Sequence, residues 1–240
     1  MPSVRSSRAW SWPRAPNPFA ASVIVVDGTL STQAVAVRER RHFLLKPTSL
    51  SVATGEVLVA SGDPGHGHTV LALALAGRFE GHEGAVEING SRDPRELQRR
   101  VALVDVPGVS EPDDNMPVGT VIGEELAIAG HTANRKAVRG LLTDLNLVDY
   151  ERARFEDLDA GPRLAILARL AATRPEVRFI VAVLPERNGG PVYSWLPTLQ
   201  QLAQTGIGVV VTASSGLAPH LGIGTRRVIP FGNASEETPR

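Results

Sequence analysis

No cysteine occurs in the 240 residues. That excludes disulfides, cysteine–zinc sites and a thiol nucleophile, and it fits a reducing compartment. No charge is left over either, because 25 Lys and Arg balance 25 Asp and Glu. Global electrostatics therefore give no reason to expect nucleic acid as the main partner. No run is long and apolar enough to span a bilayer. The first 20 residues lack the apolar stretch of a signal peptide and contain no acid, but carry Arg5, Arg8, Arg14 and four prolines. They read as a flexible basic tail, in which Trp10 and Trp12 beside arginines are suited to touch a membrane surface or a partner. What is present is enough apolar material, 42% of the chain, for a full core. The length suits one α/β domain or a core plus a small subdomain.

The chain alternates between two kinds of apolar pattern. SVIVVDG (22–28) and QAVAV (33–37) read as strands, and a turn at Thr54-Gly55 leads into an apolar strand over 57–60. TVLALALAG (69–77) is rich in helix formers and is stopped by glycine. GAVEING (84–90) alternates like a short strand ending in a turn, and RELQRRVALVDV reads as a short helix and then a buried strand from Val101. An acidic loop over 107–117 carries Glu111, Asp113 and Asp114. VGTVIGEELAIAG, NRKAVRGLLTDLNL and GPRLAILARLAATRP are helical, the last ended by Pro175. RFIVAVLP and IGVVVTASS are buried strands, and SWLPTLQQLAQTG between them is expected to be helical after its proline. RRVIPFG makes a last strand and turn. Helices alternating with continuous apolar strands predict an α/β fold with a mainly parallel sheet. The strands before Ser61 and around Val86 form an antiparallel β flank.

Between the strand at 57–60 and the helix lies SGDPGHGHT (61–69), with Gly62, Gly67 and Thr69 at the spacing of a phosphate-binding P-loop, G-x-x-x-x-G-K-[ST]. In that setting the helix N-terminus aims N–H groups and a positive dipole end at an anion. The lysine is missing, and His68 stands in its place. An imidazole is shorter and titrates near neutrality. Two roles are open to it: protonated and facing phosphate, or capping a turn and never meeting one. Thr69 offers a hydroxyl for Mg2+. His42, His82, His131 and His220 have no metal-ligand spacing.

Taken in order, these segments resemble the ATP-binding subunit of ABC transporters over residues 23–232. LSVATGEVLVASGDPGHGHTVLALALAGR is similar to that family's strand, P-loop and first helix, and GAVEING to the strand that follows. RRVALVDV sits where the family enters its Q-loop. MPVGTVIGEELAIAG resembles the start of its helical subdomain, and DLDAGPRLAILARLAATRPE its signature motif and helix. FIVAVLPER resembles the Walker B strand, and GVVVTASS the strand ending in the H-loop. The resemblance implies a P-loop NTPase core of the ABC type over 21–232, with a helical subdomain at about 110–165 and tails at 1–20 and 233–240. It implies ATP held by Gly62, Gly65, His66, Gly67, His68, Thr69 and Val70, and Mg2+ held by Thr69. It also implies an integral membrane permease as partner, a homodimer or a heterodimer with another ABC ATPase, and a cytoplasmic place at the inner face of the membrane.

The same comparison shows what this chain lacks. The Q-loop glutamine is replaced by Asp105 or Val106, and the signature L-S-G-G-Q by Leu158-Asp159-Ala160-Gly161-Pro162. The Walker B carboxylates fall on Val183 and Leu184 in one register, or on Val181 and Ala182 in another. Glu186, one step past Pro185, is the nearest carboxylate; Gly190 replaces the D-loop aspartate, and Ala213 or Ser214 the H-loop histidine. Phosphoryl transfer is almost wholly positioning and electrostatics, so joint loss of these groups predicts a pseudo-ATPase with no catalytic residue. The alternatives are a slow ATPase working through His68 and Asp105, and a soluble nucleotide sensor or scaffold. Asp105 is open to a metal, or to water at the end of a strand.

Overall fold

The computed structural model describes residues 28–220 and 227–232. The expected tails at 1–20 and 233–240, and the expected strand at 22–28 up to residue 27, lie outside the described residues. Strands β1 (Thr29–Glu39), β2 (His42–Ala53) and β4 (Glu83–Ile88) form an antiparallel sheet in the order β2-β1-β4. Strands β3 (Val57–Gly62), β5 (Val101–Val104), β6 (Phe179–Val183), β7 (Gly208–Ser214) and β8 (Arg227–Phe231) form a wholly parallel sheet, β5-β6-β7-β3-β8. The parallel core is as expected, and so is the antiparallel flank for β1, β2 and β4; β3, which also precedes the glycine loop, belongs to the parallel sheet and not to the flank.

The helices are α1 (Gly67–Leu75), α2 (Pro94–Arg100), α3 (Val118–Ile128), α4 (Arg135–Asp144), α5 (Ala160–Ala172) and α6 (Val192–Gln204). Helix α1 lies between the two sheets, which explains its composition. Val70, Leu71, Ala72, Ala74 and Leu75 share one buried cluster with Leu30, Val37, Leu45 and Val52 of the flank and Leu58, Val181 and Val210 of the parallel sheet. A helix buried on every side is apolar on every side. It ends at Gly77, with Arg78 N–H donating to Leu73 O at 2.8 Å and Gly77 N–H to Ala74 O at 2.9 Å, a Schellman motif. On the other face of the parallel sheet, a second cluster joins Val59, Ile180 and Val209 to α3–α6 through Ile122, Leu142, Phe155, Ile166, Trp195 and Leu199.

Helix α6 starts at Val192, before the proline and not after it, and runs through Pro197. Pro197 has no N–H to donate to Tyr193 O, and the cost is eased because Tyr193 lies in the first turn on an exposed part of the helix. Burial of Trp195 and Leu199, both at 0% exposure, holds the helix on either side of the proline. Helix α5 stops at Ala172 with Thr173 as its cap, before Pro175 is reached. No helix among the described residues is long and apolar enough to cross a membrane.

Candidate functional site

The glycine loop joins the C-terminal end of β3 to the start of α1, as the strand–loop–helix spacing predicts. Gly62 is the last residue of β3 and is buried under Phe231 of the neighbouring β8; a Cβ there would lie 2.5 Å from the ring. Gly65 and His66 are exposed, Gly67 opens the helix, and Thr69 is half-buried. Val70 is 6% exposed and packs into the cluster between the sheets, so its side chain is core.

His68 is fully buried. Its Nε2 lies 3.0 Å from Asp63 O, and its ring meets Phe231 edge-on with centroids 4.8 Å apart. Because a carbonyl can only accept, Nε2 carries the proton and Nδ1 presents a lone pair. That Nδ1 is buried with no partner among the described residues. Burial pushes the imidazole below its ordinary value; the carbonyls of Asp63 and Gly62 and the carboxylates of Glu186 and Asp63 pull the other way and do not prevail. The side chain in the lysine's place is thus a neutral ring that braces the loop from inside.

Around the loop, polar groups are paired with each other. Ser215 Oγ donates to Asp63 Oδ1 at 2.7 Å. Glu186 Oε1 accepts from the backbone N–H and the hydroxyl of Ser214, at 2.7 and 2.9 Å, while its Oε2 is buried and unpartnered. Strand β6 ends in Val183, and Leu184 then turns through a left-handed φ of 46°. That conformation is rare for a branched apolar residue, and it re-aims the chain so that Glu186 faces Ser214.

Asp105 does not face water, and the carboxylate that the sequence left open to a metal is engaged by basic and amide donors instead. It is 3% exposed. Arg163 Nε donates to both its oxygens at 3.0 and 3.1 Å, Asn188 Nδ2 donates to Oδ2 at 2.7 Å, and Arg187 Nη2 lies 3.1 Å from Oδ1. Arg163 also donates to Asp114 Oδ1 at 2.7 Å and stacks over the Phe155 ring at 4.7 Å. Arg187 reaches the main-chain oxygens of Asp105 and Val183 and the carboxylate of Glu111. Burying a carboxylate is costly unless it is paired, and here two arginines and Asn188 pair it. The network ties the end of β5, the acidic loop, α5 and the turn after β6 into one body. Sequence reasoning missed it, although one signal was present: Arg163 is a charge on an otherwise apolar helix face.

The signature-like segment is accounted for within this chain. Pro162 is the third residue of α5, where no N–H is needed. A Cβ on Gly161 would lie 2.4 Å from Ser194 O, so Gly161 lets α5 approach α6. Asp159 is exposed and caps no N–H.

The residues present fit a hydrolytic Mg-ATP site poorly. No group of three or more His, Asp or Glu among the described residues is placed to hold a metal. Thr69 alone remains for Mg2+, and the carboxylates nearest the loop already accept from Ser214 and Ser215.

The sequence matches no protein-family model. It is 33% identical over 168 residues to a Streptomyces avermitilis protein named for ABC transporter ATP binding, a match covering 68% of this chain and 28% of that protein. It is 26% identical over 196 residues to the energy-coupling factor transporter ATP-binding protein EcfA1 of Thermotoga maritima, covering 76% of this chain and 71% of that one. It is 29% identical over 145 residues to the cytochrome c biogenesis ATP-binding export protein CcmA of Xanthomonas oryzae, covering 59% and 65%. The chain spans between about a quarter and a half of the length of the first of its curated relatives. Among solved structures, the ATP-binding subunit of an ABC transporter superposes with a TM-score of 0.58 at 17% identity, covering 85% of this chain and 89% of that one. A Pyrococcus furiosus ABC transporter structure gives 0.61 at 12% identity, covering 84% and 96%. The relatives that the chain matches are thus ABC transporter ATP-binding proteins, and its fold is the one seen in solved ABC transporter ATP-binding structures.

Proposed function

We propose that this chain is a degenerate ABC ATP-binding subunit: it binds ATP weakly at neutral pH, does not hydrolyse it, and docks on a membrane permease. Residues 21–232 would form the ABC-type unit, with 110–165 as its helical part. The observation that carries the reading is His68. A triphosphate needs a fixed cation on its β- and γ-oxygens. Here the position holds a buried imidazole whose proton is committed to Asp63 O and whose other nitrogen offers a lone pair. Glu186 adds negative charge beside it. With Val183 and Leu184 at the end of β6, no carboxylate orients a water. Losing one such electrostatic group commonly costs about 10²- to 10³-fold in rate. The loss of several together leaves binding and docking as the retained roles.

The docking surface would lie near residues 105 to 120 and the helices that follow, where Val109 is 46% and Ile128 74% exposed. Calorimetry at pH 8 tests the first half of the proposal. Wild type should give no saturable heat at submillimolar Mg-ATP, while His68→Lys, which restores the fixed charge, should bind. Wild-type phosphate release that is abolished by Thr69→Ala overturns the proposal. For docking, an integral membrane protein should copurify with the wild-type chain and be lost with Val109→Asp; unchanged association overturns that surface.

A further inference from the structure

The parallel sheet has a second end, away from the glycine loop, where its strands begin. A cavity of about 580 Å³ opens there, between the C-terminal ends of α5 and α6 and the residues entering β6 and β7. Its apolar wall is Ala172, Pro175, Val177, Leu202 and Ile207, and three arginines converge on it: Arg169, Arg174 and Arg178. No acidic side chain lines it among the described residues. We propose that this cavity is a binding site for a small amphipathic anion, a carboxylate or phosphate monoester on an apolar body, held by Arg169, Arg174 and Arg178 with its tail against Val177, Leu202 and Ile207.

The charge here is poorly compensated. Arg174 has one acidic neighbour, Glu125, at 4.0 Å and half-exposed. Arg169 and Arg178 form no ion pair among the described residues; Arg178 donates to the carbonyls of Pro175 and Val177 at 2.7 and 3.0 Å through one nitrogen, which leaves its other donors available. Arg174 also stands near enough to Arg78 to disfavour its charge, after the larger effect of burial. Helix C-termini favour nearby cations, and that accounts for Arg169 in the last turn of α5. It does not account for Arg178, which leads into β6 and lines the same cavity. The volume lies in the range of small-molecule sites, and an apolar wall with a few convergent charged groups is their usual build. Two hydroxyls of the lining are spent on helix ends, Thr173 on Leu170 O and Thr205 on Leu202 O. Charge and apolar area are what remain for recognition. The site shares no residue with the glycine loop, so its fate is independent of the nucleotide reading.

The test uses the whole chain with 8-anilinonaphthalene-1-sulfonate as a fluorescent anionic probe, displaced in turn by dodecanoate, dodecyl phosphate, dodecanol and inorganic phosphate. Dodecanoate or dodecyl phosphate should displace the probe, and the tighter of the two identifies the head group. Dodecanol and inorganic phosphate should not, because each lacks half of the recognised chemistry. Arg169→Gln/Arg178→Gln should weaken probe binding at least tenfold, whereas Arg169→Lys/Arg178→Lys should stay within about threefold. Near-UV circular dichroism and thermal unfolding show whether each variant is folded, since the probe also stains loosened proteins. Displacement by dodecanol, equal binding by wild type and the glutamine variant, or no probe binding to wild type overturns the proposal. The arginines would then serve the helix ends alone.

Discussion

At the scale of single residues, His68 and Gly161 make the sharpest claims. A histidine whose folded value is pushed below its ordinary one holds fewer protons than the unfolded chain between those two values. Stability is then complete above the ordinary value, near 6.5, and is lost as pH falls toward the lowered one. The melting temperature of wild type should therefore fall more steeply between pH 7.5 and 5 than that of His68→Gln, whose amide can still donate to Asp63 O. Equal slopes would mean that the ring is not held neutral. At Gly161 the atom that an added Cβ would meet is backbone, Ser194 O, and backbone cannot swing aside as a flexible side chain can. Gly161→Ala should cost about 1–3 kcal/mol, the usual range for overpacking. In urea unfolding this would show as a lower midpoint with an unchanged slope.

Between elements, the decisive contact is the one Arg163 makes across α5, the acidic loop and the strand ends. Removing one partner of a buried ion pair strands the other, at about 3–5 kcal/mol. Arg163→Met should lose that much in denaturant unfolding, and adding Asp105→Asn should recover part of it by removing the orphaned charge. A loss below about 1 kcal/mol would show that Arg187 and Asn188 hold Asp105 alone. The same cluster marks the limit of what the sequence discloses. The order of strands and helices is legible because burial imprints periods on the chain: the apolar run at 179–183 and the glycine after α1 are local signals. Helix α6 is misread because a local rule about proline competes with Trp195 and Leu199, whose burial depends on other elements. The P-loop was legible in spacing and the substitution of its lysine was plain. The direction of the His68 ring was not, because Phe231 and Asp63 O fix it, one of them from a distant strand. Asp105 was misjudged for the same reason: its arginines come from 58 and 82 residues away.

For the whole molecule, ligand binding can be read as stability. ATP at 100 times its dissociation constant would add about 2.7 kcal/mol, or roughly 5–10 °C for a chain of this size. Wild type in 1 mM Mg-ATP at pH 8 should shift by less than about 1 °C; a shift of several degrees would restore an intact nucleotide site. The strand order carries a further consequence, one of time. Strand β3 ends at Gly62, yet both strands that flank it, β7 and β8, begin at Gly208 or later. At ribosomal speeds of about 5–20 residues per second, those roughly 145 intervening residues take about 7–30 s to make. Through that interval VLVA, an apolar and uncharged segment, has two bare edges and no partner. The glycine loop that looks like the first finished feature of the chain is among the last to close, because Phe231 must arrive to cover Gly62. A nascent chain stalled before residue 208 would be open to chaperones, proteases and its own neighbours on the polysome.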